Sequence, residues 1–289
     1  MQSRPPNLCG TEARRHRTPV RAALDFSVTH YDTIIIGAGA AGLFCGAQAS
    51  QRGQSVLVID HAKTPAEKVR ISGGGRCNFT NMYAGPENFL SQNPHFAKSA
   101  LARYTPYDFM DLLTRHNITW HEKTLGQLFC DGKSGQIIQM LLDELESGGG
   151  ELWLETSVAS VTHSGDTFTL QTTSGAVTCA ALVVATGGLS IPKMGATGFA
   201  YDVARQFGNT LVETAPALVP FTFGGEVLEN LRSIAGTACD VRAAAGQGCF
   251  DEAMLFTHRG LSGPAMLQIS SYWAPGDSIE IDLLPGQDV

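Results

Sequence analysis

Thr33-Ile-Ile-Ile36-Gly37-Ala-Gly39-Ala40-Ala41-Gly42 is the stretch from which the fold is read. The β-branched run 33–36 suits a strand buried on both faces, and Ala40–Arg52 reads as an alanine-rich helix that Gly53 ends. Between them stands a G-x-G-x-x-G turn. Gly37 permits the tight bend, Gly39 lets a diphosphate approach the backbone, and Gly42 lets helix and strand pack closely. The first helical residues, Ala40 and Ala41, add amide donors and the positive end of the helix dipole. Ser55–Ile59 is a second strand of the same kind, so strand, turn, helix and strand form a βαβ unit that opens a doubly wound α/β sheet. Asp60 closes the second strand, 18 residues after Gly42, placed to accept from ribose hydroxyls. A carboxylate there disfavours a 2′-phosphate and leaves FAD or NAD.

Farther along, Ser134 is placed to cap a helix whose apolar face is Ile137, Ile138, Leu141, Leu142 and Leu145, and Gly148–Gly150 stops it. The period then changes. Residues 151–155, 158–163, 167–172 and 177–179 read as short strands separated by turns, a small antiparallel meander. Leu182–Ala185 reads as another buried strand, running into Thr186-Gly187-Gly188. A plain NAD dehydrogenase has no use for such a meander, which tips the choice to FAD. Beyond Pro216 the α/β alternation disappears. Three regions are expected: a disordered extension over 1–30, an FAD-binding α/β domain over 31–215, and a β-rich domain from 216 to 289.

With 289 residues, 43% hydrophobic and 16% charged, the chain is long enough for a sizeable core. Its 32 glycines follow no collagen-like period and belong to turns and ligand loops. Residues 1–30 hold five Arg against Glu12 and Asp25, yet the whole chain is at −7. That balance speaks against an electrostatic nucleic-acid binder, so a small-molecule substrate and no nucleic acid are expected. Seven cysteines without a CxxC pair fit a reducing, cytoplasmic setting. No 18-residue apolar run is available for a membrane span. His61, His95, His116, His121 and His163 show no ligand spacing, and no metal is assigned. Ser262 in Gly260-Leu-Ser-Gly-Pro264 lacks the G-x-S-x-G spacing of a hydrolase elbow.

A second glycine cluster, Gly73-Gly74-Gly75, precedes Arg76, Cys77 and Asn78. It exposes backbone donors, with a guanidinium for phosphate and an amide that can both donate and accept. Together with Tyr31–Gly42, Ala185-Thr-Gly-Gly-Leu-Ser190, Pro216-Ala-Leu-Val-Pro220 and Leu255-Phe-Thr-His-Arg-Gly-Leu-Ser-Gly-Pro264, the segment Ile71–Asn81 resembles a bacterial family of NAD(P)/FAD-dependent oxidoreductases. That family includes the 3-dehydro-bile-acid Δ4,6-reductase-like flavoproteins. The resemblance implies a two-dinucleotide-binding-domain flavoprotein fold, Rossmann-like, with a β-rich insertion after Pro216. It implies that Gly37, Gly39, Gly42 and Asp60 hold the ADP half of FAD, that Gly73–Asn78 run near the flavin end, and that Thr186, Gly187 and Gly188 close over the cofactor. Reduced nicotinamide, NADH or NADPH, would deliver hydride to the flavin, and the flavin to an acceptor such as an unsaturated ketone.

Family members continue past the insertion to a glycine-rich return, whereas this chain stops at Asp288-Val289, so a truncated chain with an incomplete insertion is expected. The alternative function is a non-catalytic nucleotide-binding fragment or interaction module. Cys77 and His258 are the catalytic candidates, each also readable as a packing thiol and a solvent-facing histidine. Oligomeric state is not legible.

Overall fold

The computed structural model describes residues 28–286. In chain order they form β1 (Thr29–Ile36), α1 (Ala40–Ser50), β2 (Val56–Ile59), α2 (Glu67–Gly75), β3 (Asn78–Asn81), α3 (Lys98–Arg103), α4 (Pro106–Arg115), β4 (Trp120–Glu122), β5 (Gln127–Cys130) and α5 (Gly135–Ser147). Next come β6 (Glu151–Trp153), β7 (Val158–Ser164), β8 (Thr167–Thr172), β9 (Gly175–Val184) and α6 (Phe199–Gln206). The last elements are β10 (Phe221–Thr222), α7 (Gly225–Arg232), β11 (Ala238–Ala245), β12 (Gly248–Thr257), β13 (Gly260–Ser262), α8 (Pro264–Ile269) and β14 (Glu280–Asp282). The expected extension over 1–30 lies almost wholly outside the described residues.

The chain divides into two compact units, residues 28–65 with 141–185, and residues 66–140 with 186–286. The first is an α/β unit around a six-stranded sheet of order β6-β2-β1-β9-β8-β7. β6, β2, β1 and β9 run parallel, and β8 and β7 extend the sheet antiparallel. Ile34, Ile35 and Leu57–Ile59 are fully or nearly fully buried, as a parallel strand covered on both faces requires. α1 lies close against β2 because Gly46 has no side chain: a Cβ there would stand 2.9 Å from Val58 Cγ2 and 3.0 Å from Leu145 Cδ1. The α/β opening and the parallel sheet therefore match the sequence reading.

Two details differ. β9 is a single ten-residue strand, not a short meander strand followed by a separate one. Along it Cys179 pairs with Phe168 on one side and Tyr31 on the other, so the meander and the parallel sheet share one strand. Its end, Leu182–Val184, is half-buried rather than buried. β6 leaves the meander and pairs in parallel with β2, where Tyr31 donates to Glu151 Oε2 at 3.0 Å and packs edge-on against Trp153. Burial and the Glu151 carboxylate together push the Tyr31 phenol up to about 12.

The second unit holds a three-stranded antiparallel sheet, β3-β5-β4, and a five-stranded antiparallel sheet, β10-β13-β12-β11-β14. Val241, Ala243, Met254, Leu261, Ala265, Met266 and Ile269 form the core beneath the larger sheet, where α8 covers β11 and β12. Gly263 turns the chain from β13 into α8 with φ 93°, so the Gly-Leu-Ser-Gly-Pro segment serves as a strand, a turn and a helix start.

Candidate nucleotide-binding site

In the α/β unit, β1 leads into Gly37, whose amide donates to the Ile59 carbonyl at 2.7 Å and bends the chain toward α1. Gly42 then sits directly against that bend. A Cβ on it would lie 1.8 Å from the Gly37 carbonyl oxygen and 3.4 Å from the Ala185 Cβ. Gly39 is the opposite case, since a Cβ there would meet nothing within 4 Å. It caps α1 without a side-chain bond, the first turn holds no acid, and Ala40 and Ala41 are exposed. A helix start of this kind offers unpaired amides and a positive dipole end to an anion.

Asp60 does more here than await a ribose. Its Oδ2 accepts from the Ala38 amide at 2.6 Å and its Oδ1 from the Ala62 amide at 2.8 Å, tying the glycine turn to the end of β2. His61 Nδ1 stands 3.6 Å from the same Oδ1. A carboxylate offers about four lone-pair sites, so two internal bonds leave capacity for an external hydroxyl.

In the other unit, α2 loses helical geometry at Ser72. Gly73, Gly74, Gly75 and Cys77 all take positive φ (57°, 66°, 85° and 53°). Gly73 is packed: a Cβ would meet Phe129 Cε1 at 2.7 Å and the Asn78 nitrogen at 2.8 Å. Gly74 and Gly75 face open space. Ser134 holds this loop from behind, its amide donating to the Gly75 carbonyl at 2.8 Å and its hydroxyl to the Arg70 carbonyl at 2.8 Å. Ser134 also stands just before α5, its carbonyl accepting from the Ile138 amide at 3.2 Å. Its hold on the glycine loop is a positioning role the sequence reading missed, because the partners lie some 60 residues upstream. Arg76 is exposed, and the Asn78 side-chain amide lies beside the Leu128 and Thr80 carbonyls, to which its nitrogen donates once the amide is oriented nitrogen-inward, so its side chain serves the small sheet.

Thr186, Gly187 and Gly188 lie in the same unit as that loop. Thr186 Oγ1 is buried without a hydrogen-bond partner, an arrangement that costs about 1–3 kcal/mol unless something satisfies it. Lys68 Nζ donates to Ser190 Oγ at 2.8 Å and lies 3.7 Å from the place a Gly187 Cβ would take.

Cys77 is 5% exposed, and burial pushes its thiol up despite a hydrogen bond with Ser72. It has a neighbour that spacing did not show. Arg76 accepts from the Cys130 amide at 3.0 Å, which brings Cys130 beside Cys77, and burial with the Cys77 charge raises Cys130 to about 12. Both thiols are free and keep their protons at neutral pH. With a thiol reagent at pH 8, Cys249, which is exposed, is expected to label in the native protein, while Cys77, Cys130 and Cys179 label only on unfolding. Peptide mass mapping reads the order. His258 is exposed on the β12–β13 turn, where its carbonyl accepts from Arg232 Nε. Among the described residues no group of three or more His, Cys, Asp or Glu is arranged to hold a metal, and no helix is long and apolar enough to cross a membrane.

The HI0933-like protein Rossmann domain matches residues 31–245, and the HI0933-like barrel and H2TH domain matches 215–289. The chain belongs to the HI0933-like family. Two HI0933-like relatives are named ribosomal RNA dihydrouridine synthase. The one from Escherichia coli (strain K12) is 55% identical over 90% of this chain and 65% of its own length. The one from Haemophilus influenzae is 49% identical over 89% and 65%. The 3-dehydro-bile acid delta(4,6)-reductase of Clostridium scindens is more distant, at 24% identity over 87% of the chain and 64% of its own length. This chain thus spans about 65% of the length of the curated relatives it matches.

These names overturn the expectation of no nucleic acid. Net charge averages over the whole chain, whereas contact with RNA depends on where the cations stand. Residues 66–140 carry eight Lys and Arg against six Asp and Glu, while the rest of the chain from residue 31 carries seven against nineteen. The acidic total hid a basic segment.

Proposed function

We propose that this chain carries the FAD-holding part of a reductase that adds hydrogen across the C5=C6 bond of a uridine in ribosomal RNA. The observation that carries this reading is the 55% identity, over 90% of the chain, to a ribosomal RNA dihydrouridine synthase. The C5=C6 bond of uracil is conjugated to the C4 carbonyl, the same kind of bond that a Δ4,6-reductase of a 3-dehydro steroid must reduce. Both the close and the distant relative thereby fit the expectation of an unsaturated-carbonyl acceptor.

The residues present fit FAD. Gly39 opens on empty space beside unpaired helix amides, Gly42 admits the close turn, and Thr186 Oγ1 is a buried hydroxyl in want of a partner. In this reading Gly37, Gly39, Ala40, Ala41 and Gly42 take the diphosphate, and Asp60 the ribose. Gly73–Asn78 and Thr186–Gly188 serve the flavin end. The second family match, which begins at residue 215, supports the domain boundary expected at Pro216. Bound FAD would supply a two-electron carrier able to take hydride from NADH or NADPH and pass it to a conjugated double bond. Hydride goes to one carbon of that bond and a proton to its neighbour. Cys77, which keeps its proton, and His258 are the candidate donors of that proton.

Expression of the complete gene product in a strain lacking its own synthase is the test. A flavin absorbance spectrum and the appearance, in nuclease digests of ribosomal RNA, of a uridine heavier by two hydrogens are expected. Flavin uptake without that nucleoside would remove the RNA substrate; no flavin at all would remove the whole reading.

A further inference from the structure

A cavity of about 500 Å³ opens in the second unit, at the far end of β3 from the glycine loop. Its lining includes Tyr83, Asn88, Lys123, Gln127, Glu252 and Gln268. Tyr83 is 72% exposed yet held in place. Asn81 Oδ1 accepts from its amide at 2.8 Å, Asn81 Nδ2 donates to the Leu125 carbonyl at 2.9 Å, and the Met82 amide donates to the Gly126 carbonyl at 2.9 Å. The ring rests on the bare backbone of Gly126, where a Cβ would come within 2.6 Å of Tyr83 Cδ2. Leu125 on the same rim is 65% exposed and takes φ 51°, a left-handed conformation that costs a leucine about 1–3 kcal/mol. A strained loop therefore presents a fixed, solvent-facing aromatic ring beside a cation and several amides.

We propose that this cleft takes one unpaired nucleotide of the RNA, flanking the target uridine. Tyr83 stacks on the base, Lys123 meets the phosphate, Gln127 and Gln268 bond the base edge, and Glu252 accepts from an exocyclic amino group. This assignment rests on the RNA reading above. Exposed aromatic faces and amide side chains recognise splayed single-stranded bases, and the segment that carries Tyr83 and Lys123 is the one with excess positive charge. The position sets which nucleotide it is. At about 3.3 Å per residue, the four steps from Cys77 to Asn81 at the cleft's edge span roughly 13 Å, too far for the reacting base and within reach of a flanking nucleotide.

The test measures fluorescence anisotropy of a single-stranded RNA of about 12 nucleotides against the full-length protein, over a range of salt. Tyr83→Ala is expected to weaken binding about tenfold or more, and Tyr83→Phe to stay within about twofold of wild type. Lys123→Ala should weaken binding and lower the slope of log K against log salt by about 0.7. Tyr107→Ala removes a ring that is 62% exposed on α4, outside the cleft, and should change nothing. Circular dichroism confirms that each variant is folded. Wild-type binding with no loss in Tyr83→Ala, or an equal loss in Tyr107→Ala, overturns the cleft alone. Failure of the wild type to bind RNA overturns the RNA reading with it.

Discussion

Gly42→Ala is expected to cost about 3 kcal/mol or more of folding stability and to abolish flavin retention. The added methyl would stand 1.8 Å from the Gly37 carbonyl oxygen, and because the obstacle is backbone no rotamer change relieves it. Turn and helix must separate, which also breaks the shape that the diphosphate needs. A loss of that size is a large share of a total stability of about 5–15 kcal/mol. Gly39→Ala is the matched control. Its Cβ would meet nothing within 4 Å and its φ of −76° suits alanine, so stability should stay within about 1 kcal/mol. The methyl would nevertheless enter the space proposed for the diphosphate, so flavin retention should fall. Urea midpoints and flavin-to-protein ratios, measured on both variants, separate the two effects. An unchanged midpoint for Gly42→Ala would contradict the packing described.

Asp60→Ala should be the next most damaging change. It leaves the Ala38 and Ala62 amides without their acceptor, and Ala38 is fully buried, so water does not take its place. Hydrogen bonds to a charged group are worth about 1.5–3 kcal/mol each, and a net loss of about 3 kcal/mol is expected. Asp60→Asn retains one carbonyl acceptor and should lose roughly half of that. A ribose contact adds a second signature. In the proposed function, Asp60→Asn binds FAD more weakly even when excess cofactor and low temperature keep it folded. Titration of the apoprotein with FAD gives that affinity. Equal affinity would confine Asp60 to holding the glycine turn.

The opening β1-α1-β2 unit was legible because every local signal agreed: a β-branched run, glycines at the turn, alanines in the helix and an acid after β2. Where partners lie far away in sequence, legibility stopped. β9 reads as two strands because Ala180 and Ala181 are weak strand formers between its β-branched stretches, and only pairing with β1 makes it continuous. Ser134 reads as a helix cap, and its further bond to the Arg70 carbonyl, 64 residues upstream, has no local signal. Cys77 and Cys130 become neighbours only through the pairing of β3 with β5. One miss was avoidable. Thr105-Pro106-Tyr107-Asp108 is a capping box with proline at the first helical turn, and it announces α4 in plain sequence. The cleft beside Tyr83 had no motif at all, since its walls come from four separate stretches of chain.

The shared strand also sets the tempo of assembly. His30 and Thr178 meet across β1 and β9 although 148 residues separate them. At roughly 5–20 residues per second, a ribosome would need about 7–30 s after making β1 before β9, the neighbour on its second edge, emerged, whereas β2 on the first edge follows almost at once. Throughout that interval the isoleucine strand would stand on a nascent polypeptide with one edge open, a natural client for a chaperone.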